Sequence, residues 1–491
     1  MRIDLKRLEE TWRILDTFAD KTWPGWTGYR DVPFLFEYPN GVQMLVGHPN
    51  PTDTFAPVAD VEVQGKKVLL DRSRENAIVL RPPFIGGGGI IPFGKGTPVR
   101  IVRLSMREAV EMEKVMGAEG RTDKRPPKLR TASENQILIN IHELFHLFQN
   151  AQAGMRYGNL RINTDLDFAV NAEIEGLALE KAFLEPDDAK AREFLKDFLA
   201  ARLLKRKTMT DTERNQESEN EVSEGTAVYA EAMALRLMQQ EGFSPLLSPA
   251  DDPFYFGFKD TAVFLEERTE ALREARTQTL DAMGKLYRFG CFEALVLSRL
   301  FPGWQKDFLK EGRFLDKTIG EKLGFSPESA EAQAKELAGR FPVDEIGRRH
   351  KPVIEGRDAA LKTVRAQKGR TYVVNMKPLQ EYVIPKGRGE KYQVGLMNIY
   401  PRGIERIEIR DVLLTGEETL MLTDQLYYFK WVDTTGDPKV KGYTLTGGRK
   451  EGDDTYYDAE FKTKGFTLKA PKIRVKDTDA RVKVTILEKV K

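Results

Sequence analysis

Residues 135–150 read NQILINIHELFHLFQN, and within them His142-Glu143-Leu144-Phe145-His146 sets two imidazoles four positions apart. On an α-helix that spacing is one turn, so both rings project from one face and can share a metal ion. Glu143 then lies beside the ion without ligating it, where its carboxylate can take a proton from a water and hand it to a departing amine. Ile137, Ile141, Leu144 and Phe148 recur at helical spacing and predict that the helix is buried along one stripe. Thr131 with Glu134, and Ser133 with Gln136, both fit a capping box at its start. The chain has four histidines, at 48, 142, 146 and 350, and half of them fall in this motif. A zinc site is therefore preferred over two packed core histidines beside a chance glutamate.

A catalytic zinc takes three protein ligands and keeps one position open. His48 and His350 fall in segments of different texture and read as packing or surface histidines. A carboxylate is the expected third ligand, and two helical stretches offer one. NAEIEGLALEKAF (171–183) contains Glu173, Glu175 and Glu180, with Glu175 standing 29 positions after His146. ENEVSEGTAVYAEAMAL (219–235) contains Glu224, 78 positions after His146. At ordinary helical spacing Glu217, Glu221 and Glu224 share a face, and Glu231 lies two turns beyond Glu224. The Ala, Val, Met and Leu that follow Glu224 imply burial, and a buried carboxylate needs a partner or a metal.

Glu224-Gly-Thr-Ala-Val-Tyr229-Ala-Glu231 resembles the second zinc-binding helix of gluzincins of the aminopeptidase N and leukotriene hydrolase type, whose pattern is Glu-Gly-x-Ala-x-Tyr-x-Glu. Tyr287-Arg-Phe-Gly290 resembles that group's Tyr-x-x-Gly, and the 63 positions from Glu224 to Tyr287 are similar to the separation there. The resemblance implies an HExxH zinc metallopeptidase with Zn2+ as cofactor. It implies Glu224 as third ligand in preference to Glu175, which stays the alternative from the residues alone, and Glu231 as a supporting carboxylate near the metal. It implies Tyr287 as the hydroxyl that stabilises the oxyanion. It covers roughly residues 130 to 300 and is carried by motifs alone. The longer separation from His146 to Glu224 requires an inserted helical pair, which residues 165–206 would supply. The Gly-x-Met-Glu-Asn motif that binds the free amine in the aminopeptidases has no counterpart, so aminopeptidase specificity is not implied. Trp23-Pro-Gly-Trp26 is similar to a stretch in bacterial HExxH proteins, a likeness that brings no substrate.

Outward from the motif the texture of the chain changes twice. Leu5, Leu8, Trp12, Leu15 and Phe18 predict an amphipathic first helix. Short β-type runs follow up to about Leu104: FLFEY, VQMLV, KVLL, AIVL and VRIVRL. From Met106 to Ala366 the pattern is helical, and after Lys368 runs such as LYYFKWV, KIRVK and RVKVTILE alternate with turn residues. The expected architecture is an α+β multidomain chain. A mixed β N-terminal region (1–105) contributes sheet to the catalytic unit. A mainly helical, zincin-like catalytic domain (106–352) follows, then a linker (353–368) and a C-terminal β-sandwich-like domain (369–491). In the glycine-rich stretch, Gly89 to Lys95 fits G-x-x-x-x-G-K, but Gly96 stands where Ser or Thr belongs and a strand pattern follows, so a phosphate loop is rejected. A loop beside the metal cleft and a plain connection are equal readings of that stretch. VRIVRL is a candidate edge for an extended peptide.

Composition narrows the partners. Lys plus Arg number 77 and Asp plus Glu 75, a balance that gives no support for a nucleic-acid or polyanion binder. The single cysteine, Cys291, excludes an intramolecular disulfide and a cysteine-rich zinc finger. No apolar run is long enough to span a membrane. The opening MRIDLKRLEETWRILD has no apolar h-region, so the chain is expected to be cytoplasmic, or exported if a signal has been removed. The expected function is zinc-dependent hydrolysis of a peptide or protein substrate. The alternatives are a zinc hydrolase of a non-peptide substrate, or a weakly catalytic binding protein acting through its β domain.

Overall fold

The computed structural model describes residues 2–38, 42–72, 90–93, 97–103, 133–153, 165–252, 254–279, 282–366, 369–376, 386–388, 391–394, 397–409, 412–416, 420–423, 428–433, 442–449, 454–478 and 481–487. The AIVL run, the glycines 86–89 and all of 104–132, Thr131 included, lie outside them. The fold class is α+β, with one sheet before the helices and a second after them.

Helix α1 (Arg2–Thr22) buries Leu8, Trp12, Leu15 and Phe18 as its spacing predicts. Strands β1 (Phe34–Glu37), β2 (Gln43–Val46), β3 (Ala56–Val63), β4 (Lys66–Asp71), β5 (Ile90–Phe93) and β6 (Thr97–Arg103) form a six-stranded sheet in the order β3-β4-β2-β1-β6-β5. Only β1 and β6 pair in parallel among these strands. Both faces are covered. Phe34, Phe36, Met44 and Val46 join the main helical core, while Leu35, Leu45, Val99 and Ile101 form a separate cluster on the other side. Strand β6, the VRIVRL run, is flanked by β1 and β5, so it is not the sheet edge expected from the sequence; β5 is.

From residue 133 the described elements are helical: α2 (Ser133–Ala153), α3 (Leu166–Leu184), α4 (Asp188–Arg206), α5 (Asp211–Asn220), a π turn (Glu221–Gly225), α6 (Thr226–Gln240), α7 (Thr261–Thr277), α8 (Ala282–Leu300), α9 (Leu315–Leu323), α10 (Pro327–Arg340) and α11 (Val343–Ala366). Side-chain caps set several starts. Asp165 accepts from Phe168 N, Asp187 from Lys190 N, and Thr210 with Glu213 forms a reciprocal capping box. Helices α3 and α4 are the pair anticipated for residues 165–206.

Residues 353–366, expected as a linker, are the second half of α11. Ile346, His350, Ile354, Arg357 and Ala360 repeat at three or four positions and bury one stripe, which carries the helix past Pro352. Its last turns pack Ala360, Leu361 and Val364 against Tyr392, Ile399, Met421 and Val432 of the second sheet.

That sheet contains β7 (Arg370–Asn375), β8 (Lys386–Gly387), β9 (Tyr392–Val394), β10 (Met397–Tyr400), β11 (Ile404–Ile409), β12 (Val412–Gly416), β13 (Leu420–Thr423), β14 (Tyr428–Asp433), β15 (Tyr443–Arg449), β16 (Thr455–Thr463), β17 (Phe466–Asp477) and β18 (Arg481–Ile486). The sandwich expected from the sequence is not what the described residues show: their strands belong to a single twelve-stranded sheet. The reason lies in β17. Its first residues pair with β12 and its last with β18, while β16 runs along its other side. Pro471 sits between the two pairings, where a strand can change partner. The sheet closes over its own core of Tyr372, Trp431, Phe461, Phe466 and Leu468. Among the described residues no helix is long and apolar enough to cross a membrane.

Candidate metal centre

The site is built on α2. Ile137, Ile141, Leu144 and Phe145 are almost fully buried, and the Trp23-Pro-Gly-Trp26 stretch wedges behind them. Trp23 and Trp26 set their rings 5.2 and 4.9 Å from that of Phe145. Polar ties hold the start of the helix. Ser133 Oγ donates to Asp252 Oδ2 at 2.6 Å, and Arg7 donates to both oxygens of that carboxylate at 2.9 and 3.2 Å. Gln136 Oε1 accepts from Arg7 at 3.0 Å. Ser133 and Gln136, expected to cap α2, instead fasten it to α1 and residue 252.

With α2 so held, His142 and His146 turn their Nε2 atoms toward each other, 3.0 Å apart. Glu224 brings Oε2 to 3.4 Å from His142 Nε2 and 3.5 Å from His146 Nε2. A point equidistant from the three atoms is about 1.9 Å from each, against ~2.0–2.2 Å for zinc bonded to imidazole nitrogen or carboxylate oxygen. The donor set therefore fits a small divalent cation with a fourth position left for water. Among the described residues this is the group of histidine, cysteine and acidic side chains with metal-binding geometry. Electrostatics agree. Burial would raise the Glu224 carboxyl, but its contacts with His142 and His146 outweigh that and depress it to about 2. Burial would lower His142, but Glu224 and Glu231 outweigh that and push it up to about 10. The pocket thus favours positive charge where the three atoms converge.

Each imidazole is oriented from behind. Glu231 Oε1 lies 2.8 Å from His142 Nδ1, and its other oxygen accepts from Arg268 at 3.0 Å. Gln149 Oε1 lies 2.7 Å from His146 Nδ1. Gln149 Nε2 in turn faces Val222 O at 3.2 Å, Ser223 O at 2.9 Å and Thr226 Oγ1 at 2.7 Å. Such partners fix the ring and leave the opposite nitrogen for the metal. Gln149 and Arg268 escape a reading by motif. The available signal for Gln149 is its place three residues after His146, on the same helical face. Gln149→Leu is expected to weaken zinc affinity about 10- to 100-fold in chelator competition. An unchanged affinity would remove Gln149 from the site.

Glu224 reaches the histidines because the helix changes pitch. At ordinary spacing Glu217, Glu221 and Glu224 would share a face. The π turn at Glu221–Gly225 separates them. Glu217 pairs with Lys205 at 2.8 Å and Arg206 at 2.9 Å, and Glu221 with Arg202 at 2.7 Å, while Glu224 faces His142 and His146. The turn is pressed against α8. A Cβ on Gly290 would stand 2.2 Å from Glu221 O, and one on Gly225 2.4 Å from Gly290 Cα. Both glycines of the two sequence motifs are thus required by one backbone-to-backbone contact.

Glu175 does not join the histidines. Its two oxygens are held by Arg202 and Lys205 inside the protein, which rules out the alternative third ligand in this arrangement. His350 is buried between Thr279 Oγ1 at 2.8 Å and Glu173 Oε2 at 2.7 Å, and His48 Nδ1 accepts from Asn50 N at 3.1 Å. Both serve packing and local turns. Glu143 is half-buried beside His142. Arg100 on β6 is fully buried, donates to Asn140 Oδ1 at 3.3 Å and senses the Glu143 charge. Burial lowers its pKa, and Glu143 opposes that shift. Tyr287 is half-buried on α8, one turn before Gly290. Tyr229 is a core residue, with its hydroxyl 2.8 Å from Ser298 Oγ. Comparison with family models, with characterised proteins and with solved structures finds no match to this chain.

Proposed function

We propose that the chain is a multidomain zinc-dependent peptidase. The observation that carries this reading is the convergence of His142, His146 and Glu224 at 3.0–3.5 Å, with Glu143 on the adjoining helical position. His142, His146 and Glu224 would hold the ion. Zinc bound there supplies Lewis acidity and lowers the pKa of a water. Glu143 accepts the proton of the attacking water and returns it to the departing amine nitrogen. Tyr287 is assigned to donate its hydroxyl to the oxyanion of the tetrahedral intermediate. Glu231, Arg268 and Gln149 keep the imidazoles aimed and in one tautomer. The partly exposed Glu143 and Glu224 mark the side from which substrate enters.

Metal content of the zinc-reconstituted protein tests the ligand set, with His146→Ala, Glu224→Ala and Glu175→Gln alongside. About one zinc per chain is expected in the wild type and in Glu175→Gln, and none in the other two. A wild type that takes up no zinc overturns the metal reading. A peptide library and a panel of small esters and amides test the substrate class. Zinc binding with cleavage confined to the small esters would move the assignment to a non-peptide hydrolase.

A further inference from the structure

The outer face of the second sheet carries a charge pattern that the metal site does not use. Strand β17 turns Leu468, Ile473 and Val475 into the core and leaves Lys469, Arg474 and Lys476 exposed. Strand β18 buries Val482 and Val484 and turns Arg481 and Lys483 outward. Register then aligns the charges. Lys476 lies opposite Lys483 in a row across β17 and β18, which at β7 meets the buried Val373. Glu460 pairs with Lys469 at 3.0 Å, and among the described residues Lys476 and Lys483 concentrate positive charge on this face.

Two ordinary explanations fail. Lysines often protect sheet edges from pairing with other chains, but β17, β18 and β7 are interior strands. Composition does not force the pattern either, since the chain's 77 cations nearly match its 75 acids. Like charges directly opposite, as at Lys476 and Lys483, destabilise a sheet. Keeping them clustered implies a partner of opposite charge.

We propose that this face docks on an anionic phospholipid bilayer. Strands β16 to β18 span roughly 10 Å at the normal strand spacing and present an open face, not a groove. Lysine predominates, which suits diffuse attraction to a charged surface more than bidentate recognition of single phosphates. Tyr457, 40% exposed at the margin with Lys472 5.3 Å over its ring, is the kind of amphipathic aromatic that settles at headgroup level. The row itself has no aromatic on which unpaired bases would stack, which disfavours single-stranded nucleic acid. Helix α11 covers the β14–β9 side of the same face, so docking would use the β16–β18 side. The proposal is independent of the metal reading.

Co-sedimentation of the full chain with vesicles tests it. Vesicles of phosphatidylcholine with about 30% phosphatidylglycerol should bind the protein, pure phosphatidylcholine should not, and about 0.5 M salt should release it. The triple variant Lys469→Glu, Lys476→Glu, Lys483→Glu should bind about 100-fold more weakly, at roughly fivefold or more per cation. Lys190→Glu, Lys310→Glu, Lys335→Glu changes net charge equally away from this sheet and should bind like wild type. The glutamine version of the face triple, with its thermal midpoint compared with wild type, separates lost charge from lost fold. No binding to anionic vesicles, equal binding to neutral ones, or equal loss in both glutamate triples overturns the proposal. Tighter binding to duplex DNA than to anionic vesicles also overturns it, in favour of a nucleic-acid partner.

Discussion

Glu143→Gln is expected to keep its zinc and its thermal midpoint and to lose peptide cleavage by about 10²- to 10⁴-fold, the range for removing a general acid–base group. The substitution is nearly isosteric, so the α2 stripe and the metal ligands are undisturbed. Glutamine cannot accept a proton from water and return it to the amine, and the loss should therefore fall on kcat more than on KM. The neighbourhood makes the variant informative. Arg100, buried and hydrogen-bonded to Asn140, faces Glu143 and retains its own partners when the carboxylate becomes an amide. Cleavage within about tenfold of wild type would reject Glu143 as the base. Loss of zinc in the same variant would show instead that Glu143 supports the metal.

Arg202→Met is expected to lower unfolding free energy by about 3–5 kcal/mol, the cost of breaking a buried ion pair by removing one partner. Arg202, on α4, is 2% exposed and reaches Glu175, Glu221 at 2.7 Å and Glu293 at 3.0 Å. Burial raises Glu221 well above its ordinary value, with Arg202 opposing the shift. Burial likewise raises Glu293, to about 8, again opposed by Arg202. Without the guanidinium these carboxyls face one another with one cation fewer. Because Glu221 opens the π turn, the variant should also weaken zinc binding. Arg202→Lys keeps the charge but loses the fork that reaches three acids, and should fall between the two. Urea midpoints measure the first effect and chelator competition the second. An unfolding free energy within about 0.5 kcal/mol of wild type would show that the cluster does not stabilise this fold.

Much of the candidate site was legible because the α-helical period is local. His142, Glu143 and His146 share a face by spacing alone, and the burial of Ile137, Ile141, Leu144 and Phe148 follows from the same repeat. The α1 helix, the strand runs at 34–37 and 43–46 and the β-rich C-terminal part were readable for the same reason: apolar periodicity depends on near neighbours. Period-two alternation even spelled out the basic face in KIRVK and RVKV, although a balanced overall charge concealed it.

Choosing between Glu224 and Glu175 was beyond residue spacing, since both sit on helices whose apolar content implies burial. That choice belonged to long-range contacts. Arg202 and Lys205 take up Glu175, and the π turn rotates Glu224 away from Glu217 and Glu221 toward the histidines. The same holds for Gln149, whose role requires the carbonyls of residues 222 and 223, more than seventy positions away. The helical form of 353–366 and the single curled sheet in place of a sandwich were likewise tertiary outcomes, set by what α11 packs against and by β17 changing partners. Periodicity specifies which face of an element is apolar or charged. Which groups meet across that face depends on how the elements are brought together, and here one extra residue in a helical turn decides which glutamate reaches the two histidines.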